Sequence, residues 1–107
     1  MSSSWIYLIA AIIFEVSGTT CMKLSQGFTK LVPSVLIFVF YGLCFSCLTL
    51  ALKRIEVSVA YSVWAGLGTV LIALIGIIWF RESATIIKLL SIALIVAGVI
   101  GINASNE

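Results

Sequence analysis

The sequence predicts an all-α integral membrane protein of four transmembrane helices, on three observations. Of its 107 residues, 63% are hydrophobic and only 9% charged, whereas about a quarter of an ordinary soluble chain carries charge. The apolar residues fall into four runs, at about 4–22, 34–52, 57–79 and 86–103. Each run is near the roughly 20 residues that a helix needs to cross a bilayer core. The breaks between runs are too short to hold a soluble domain, so residues 1–107 are expected to form one four-helix transmembrane domain.

The first run contains YLIAAIIFEVSGTTCMKLS, Tyr7 to Ser25, where Glu15 is surrounded by apolar and small residues and no basic residue follows before Lys23. A charged side chain at mid-membrane costs roughly 3 kcal/mol on insertion scales, so it generally faces a cavity and marks function. Helical spacing puts Leu8, Ala11, Ile12, Gly18, Thr19 and Met22 beside Glu15. Ala11, Gly18 and Thr19 are small, which predicts open space next to the carboxylate. Such a group can carry a proton or pair with a cation, but not both at once. A protonated Glu15 making an interhelical hydrogen bond is the structural alternative. The start, MSSSWIY, lacks the basic segment of a secretory signal, and no clear cleavage site follows, so this span is expected to be retained.

The break SQGFTKLVP holds Gly27 and the only proline, Pro33, at a position where a first helical turn tolerates it. The second span carries Tyr41 at depth and the pair Cys44-Phe-Ser-Cys47, with the spacing of redox and metal motifs. No histidine, second pair or nearby positive charge accompanies these cysteines, so the expectation is packing as small hydrophobes.

KRIEV separates the second and third runs. In SVAYSVWAGLG, Tyr61, Trp64 and Gly68 recur at i, i+3 and i+7 and share one helical face. Tyr61 suits the aromatic belt at a membrane edge, while Trp64 lies too deep for a simple anchor. Aromatic faces near a carboxylate suit a lipophilic cation through cation–π attraction, although packing explains the same periodicity. Gly66 and Gly68 weaken this helix and mark it as the candidate hinge.

RESAT precedes the fourth run, with Ser83 or Thr85 as the expected N-cap. IIKLLSIALIVAGVIGIN has no deep ionisable or aromatic residue. It carries one small-residue stripe of Ala93, Ala97 and Gly101, and a second of Ser91 with Gly98. Such faces let helices approach closely in lipid, so this span reads as the association helix, with tight packing inside one chain as the alternative. Four helices alone enclose little space, and a substrate pathway is expected to need a second subunit.

Charge excludes other classes. The six basic residues, Lys23, Lys30, Lys53, Arg54, Arg81 and Lys88, are scattered for a net charge of +2, without the clustered basic face that nucleic acid requires. The absence of histidine removes the usual zinc ligand and catalytic base, and no nucleophile–base pair is visible, so neither an enzyme, a metal site nor a cofactor is expected. The side with loops one and three holds Lys23, Lys30, Arg81 and Lys88, against Lys53 and Arg54 on the other. This positive-inside bias is weak, and fits one fixed topology or insertion both ways.

The segments FEVSGTTCMKLSQGFTKLVPS (14–34), AYSVWAGLG (60–68) and AGVIGIN (97–103) together resemble the small multidrug resistance family of bacterial transporters, over essentially the whole chain. The resemblance implies an antiparallel, dual-topology homodimer in the bacterial inner membrane. It implies proton-coupled export of hydrophobic or quaternary ammonium cations by alternating access, the partners being a second copy, lipid, protons and the cations. On that likeness Glu15 is the shared proton and substrate site, and Trp64, Tyr61 and Tyr41 line the pocket with Leu8, Ala11, Gly18, Thr19 and Cys44. Gly66 and Gly68 match the third-helix kink, and Ser91 and Gly98 the dimer contact, where the first position is commonly glycine.

Three departures bear on loop mechanics and selectivity: Glu56 where relatives often have proline, Cys44 where a pocket serine is common, and Trp5 where some have tyrosine. Guanidinium exporters of the family carry a tryptophan three residues after the glutamate and a lysine near the chain's end. Gly18 and Asn103 stand there instead. The quaternary ammonium type is therefore expected, with a guanidinium exporter as the alternative and a proton or cation channel subunit as a more distant one. Ring-forming channel subunits are two-helix hairpins with long glycine repeats, which this sequence lacks.

Overall fold

The computed structural model describes residues 3–105; residues 1, 2, 106 and 107 of the expected domain lie outside the described part. Its four helices are α1 (Ser3–Leu24), α2 (Leu31–Ala51), α3 (Val57–Ile78) and α4 (Ile86–Ser105). All four are long and apolar enough to cross a membrane. At 1.5 Å per residue, their 20 to 22 residues match a hydrocarbon core of about 30 Å.

The helix ends follow local chemistry. α2 begins three residues before the expected 34, because Lys30 is already extended as N-cap, at φ −103° and ψ 125°. Pro33 then falls third in the helix, where a backbone N–H would have no partner to lose. Between Ser25 and Lys30, Gln26, Gly27 and Phe28 take positive φ values of 49°, 71° and 67°. Ser25 braces this left-handed turn, donating its hydroxyl to Met22 O and accepting from Phe28 N. Thr85, not Ser83, caps α4: its Oγ1 accepts the Lys88 N–H at 3.1 Å. Ser83 instead offers its carbonyl to Lys88 Nζ at 2.7 Å, so a lysine inside the helix returns its charge to the membrane edge.

α1 packs along α2 and against α3, and α4 packs onto α3. The core joins Leu8, Ile12 and Val16 of α1 to Val59, Ala60 and Val63 of α3, with Ala51 and Ile55 closing one end. Helix α4 contributes no buried residue. Large apolar side chains such as Ile13, Phe38 and Leu94 point outward, which water would penalise and lipid accepts. The chain spans 45 × 35 × 19 Å. Its thin dimension is that of about two helices, each 10–12 Å across.

Gly66 sets the distance between α3 and α4. It is buried, and a Cβ there would collide with Val99 Cγ2. Val99 therefore seats directly on the α3 backbone.

Candidate functional site

An open cleft of about 290 Å³ lies between α1 and α3, lined by Glu15, Thr19, Trp64, Ala65, Gly68, Thr69 and Ile72. Helix α1 supplies the carboxylate and α3 the opposing wall. Thr69 and Ile72 follow Ala65 and Gly68 one turn on, so a single face of α3 forms that wall.

The two carboxylate oxygens have different surroundings. Oε1 accepts a hydrogen bond from Thr19 Oγ1 at 3.1 Å. Oε2 is buried without a hydrogen-bond partner and lies against Gly68, where a Cβ would come within 2.9 Å of it. Only a residue without a side chain lets the carboxylate approach α3 this closely. Thr19 Oγ1 in turn lies 2.6 Å from Tyr41 Oη, which connects α1 to α2. The Trp64 Nε1–H, on the same cleft, is also buried and unpartnered. A free acceptor and a free donor in one recess are costly unless something else fills them.

Aromatic rings extend from this recess. Tyr61 lies 5.4 Å from Trp64 between ring centroids, Phe45 lies 6.1 Å from Trp64, and Tyr41 lies 6.2 Å from Phe45. Sequence reasoning named Tyr41, Tyr61 and Trp64 and missed Phe45, although its i+4 spacing from Tyr41 was a readable signal. It also missed Ala65, Thr69 and Ile72, which recur with Gly68 at helical spacing.

Other expected residues are placed differently. Gly18 is not open space beside Glu15: a Cβ there would meet Phe40 Cβ at 3.3 Å and the Tyr41 ring at 3.4 Å. Glycine there lets α1 come close to α2. Leu8 and Ala11 are fully buried, and neither lines the cleft. Helical proximity to Glu15 turned them into the packed side of α1, with Glu15 at its edge. Cys44 is fully buried beside the Trp64 indole and does not line the cleft. Cys21, Cys44 and Cys47 are all free thiols.

The expected hinge and association residues also have definite surroundings. α3 runs as one helix through Gly66 and Gly68; the first receives Val99 and the second the Glu15 carboxylate. Ser91, Ala93, Ala97, Gly98 and Gly101 are all exposed, and nothing lies within 4 Å of where a Cβ would stand at Gly98 or Gly101. Contact with α3 runs through Ile95 and Val99 instead, so packing within the chain does not use the small stripe.

Comparison with known proteins matches residues 3–95 to the family described as Small Multidrug Resistance protein. The chain is 54% identical over 100 residues to an uncharacterized membrane protein, YvaE, of Bacillus subtilis, covering 94% of this chain and 84% of that one. It is 47% identical over 104 residues to quaternary ammonium compound-resistance protein QacF of Klebsiella aerogenes, covering 97% and 94%. It is 40% identical over 105 residues to multidrug resistance protein EbrA of Bacillus licheniformis, covering 98% and 100%.

Proposed function

We propose, from the premise that the chain belongs to the Small Multidrug Resistance family, that it exports hydrophobic quaternary ammonium cations in exchange for protons across a bacterial inner membrane. The single observation that carries this reading is the buried, unpartnered Oε2 of Glu15 on a cleft walled by Trp64. A quaternary cation has no N–H to donate. It needs negative charge and aromatic faces, which Glu15 with Trp64, Tyr61 and Phe45 can supply. The relatives named for quaternary ammonium resistance support the same substrate class.

Exchange follows from one acid serving two ligands. The charged carboxylate stabilises a cation in the cleft, and a proton on it removes that stabilisation. Occupancy by one excludes the other, and differential binding to inward- and outward-facing states couples the two gradients. The thin slab of one chain cannot surround a cation. We therefore assign the functional unit as an antiparallel homodimer of dual-topology subunits, with Ser91, Ala93, Ala97, Gly98 and Gly101 at the contact and Gly66 and Gly68 as the flexing points of α3.

A guanidinium exporter is the second reading, since a guanidinium N–H would satisfy Oε2 directly. The tryptophan that the family's guanidinium type carries three residues after the glutamate has no room here, because position 18 is filled by Phe40 and Tyr41.

The test is purified protein in vesicles, with a proton gradient set against a gradient of a lipophilic cation. Uphill cation accumulation is expected for the wild type and its loss for Glu15→Gln, with insertion intact. Wild-type accumulation by the Gln variant, or dissipation only by the wild type as in a pore, would overturn the reading.

A further inference from the structure

We propose that Thr19 and Tyr41 form a hydroxyl relay whose direction follows the charge on Glu15, with Met22 receiving the Tyr41 proton when the relay reverses. This rests on the reading of Glu15 as the shared proton and cation site, and it makes Thr19, Tyr41 and Met22 positioning residues for that carboxylate.

A count of hydroxyl protons fixes the direction of each bond. Thr19 has one hydroxyl proton and donates it to Glu15 Oε1 at 3.1 Å. Its oxygen is then free only to accept, so across the 2.6 Å contact the Tyr41 hydroxyl is the donor. That same Tyr41 proton has a second acceptor, Met22 Sδ at 3.6 Å. A thioether has no proton to give, so this contact too can run only from Tyr41. One proton therefore faces two acceptors.

With Glu15 charged, donation runs Tyr41 to Thr19 to Oε1, the carboxylate polarising both bonds. When Oε1 gains a proton it becomes a donor to Thr19 Oγ1. The Thr19 proton then turns to Tyr41 Oη, and the Tyr41 proton turns to Met22 Sδ. The carboxyl gains one proton, each hydroxyl keeps its own, and only hydrogen bonds rearrange.

Two consequences follow. Oε1 is tethered to α1 and α2, which leaves Oε2 as the oxygen presented beside Gly68 to an arriving cation. The charge state of α1 is also communicated to α2 through a side chain that bridges them. The titratable groups around this chain are Tyr41 and Cys44 on α2, with the Cys44 thiol close to Glu15, and Tyr61 beside Trp64 on α3. Lys23 at the end of α1 and Glu82 after α3 line the next recess, which also contains Thr19.

The experiment follows the Tyr41 ring Cζ resonance across pH in full-length protein carrying 13C-tyrosine in lipid nanodiscs, assigned with Tyr41→Phe. In the wild type, that resonance is expected to move in the same titration as the Glu15 carboxyl carbon. Glu15→Gln and Thr19→Val should abolish the movement, Met22→Leu should shrink it, and Thr19→Ser should restore it. Thr19→Val should also slow cation–proton exchange about tenfold, and Thr19→Ser should restore the rate, the pattern expected of a hydroxyl that positions the carboxylate. A Tyr41 resonance that stays flat through the Glu15 titration overturns the relay, as does wild-type movement and turnover in Thr19→Val. If Glu15→Gln itself exchanges at the wild-type rate, the underlying assignment of Glu15 falls, a failure distinct from that of the relay. Should Thr19→Val not fold, the wild-type and Met22→Leu spectra decide alone.

Discussion

Gly68 on α3 and Glu15 on α1 meet so closely that a methyl group at position 68 would stand 2.9 Å from Oε2. The atom it would displace is the end of a flexible side chain, so the helices need not move. The carboxylate must.

Gly68→Ala is therefore expected to separate stability from binding. Alanine in a helix interior gains up to about 1 kcal/mol over glycine, so the variant should insert and unfold at or above the wild-type midpoint. Moving the charge off its place beside α3 should weaken binding of a quaternary cation about tenfold, or roughly 1.4 kcal/mol. Intrinsic tryptophan fluorescence measures the affinity, with Trp64 on the cleft as reporter. Unchanged affinity would show that the Gly68 approach is incidental.

Gly66→Ala has the opposite expectation. Its Cβ would run into Val99 Cγ2, and overpacking of this kind costs about 1–3 kcal/mol. The single variant should lose thermal stability in detergent, and Gly66→Ala with Val99→Ala should recover most of it. The two changes share one contact and should be strongly non-additive. Simple additivity would place the α3–α4 contact elsewhere.

Gly98→Leu probes the exposed stripe on α4. Nothing within the chain lies within 4 Å of that site, so the helical content and monomer stability should hold within about 0.5 kcal/mol, as for surface substitutions. If the stripe joins two copies, the fraction of cross-linked dimer in membranes should fall sharply and transport with it. An undiminished dimer fraction would exclude this face from the contact.

The four spans were legible because hydropathy is local and cumulative: some 20 apolar residues declare a membrane helix whatever its neighbours are. Glu15 was legible for the same reason, as the one acid far from either end of a run. The deep Trp64 stood out likewise, and KRIEV and RESAT mark breaks by charge alone. Helix ends were less legible. Whether Ser83 or Thr85 caps α4 depends on which hydroxyl reaches the Lys88 N–H, a geometric matter that composition does not carry.

By itself, the sequence determined that there are four helices long and apolar enough to cross the membrane, and where the lone carboxylate lies along the first. Tertiary structure alone decided what each small residue is for. Gly18, Gly66 and Gly68 look alike in sequence, each a gap in an apolar helix. Folding gave them different neighbours, the Phe40 and Tyr41 side chains, the Val99 methyl and the Glu15 carboxylate. The physical reason is that periodicity fixes which face a residue occupies on its own helix, whereas its neighbour depends on how that helix crosses the next one, and a glycine has no side chain of its own to announce the partner.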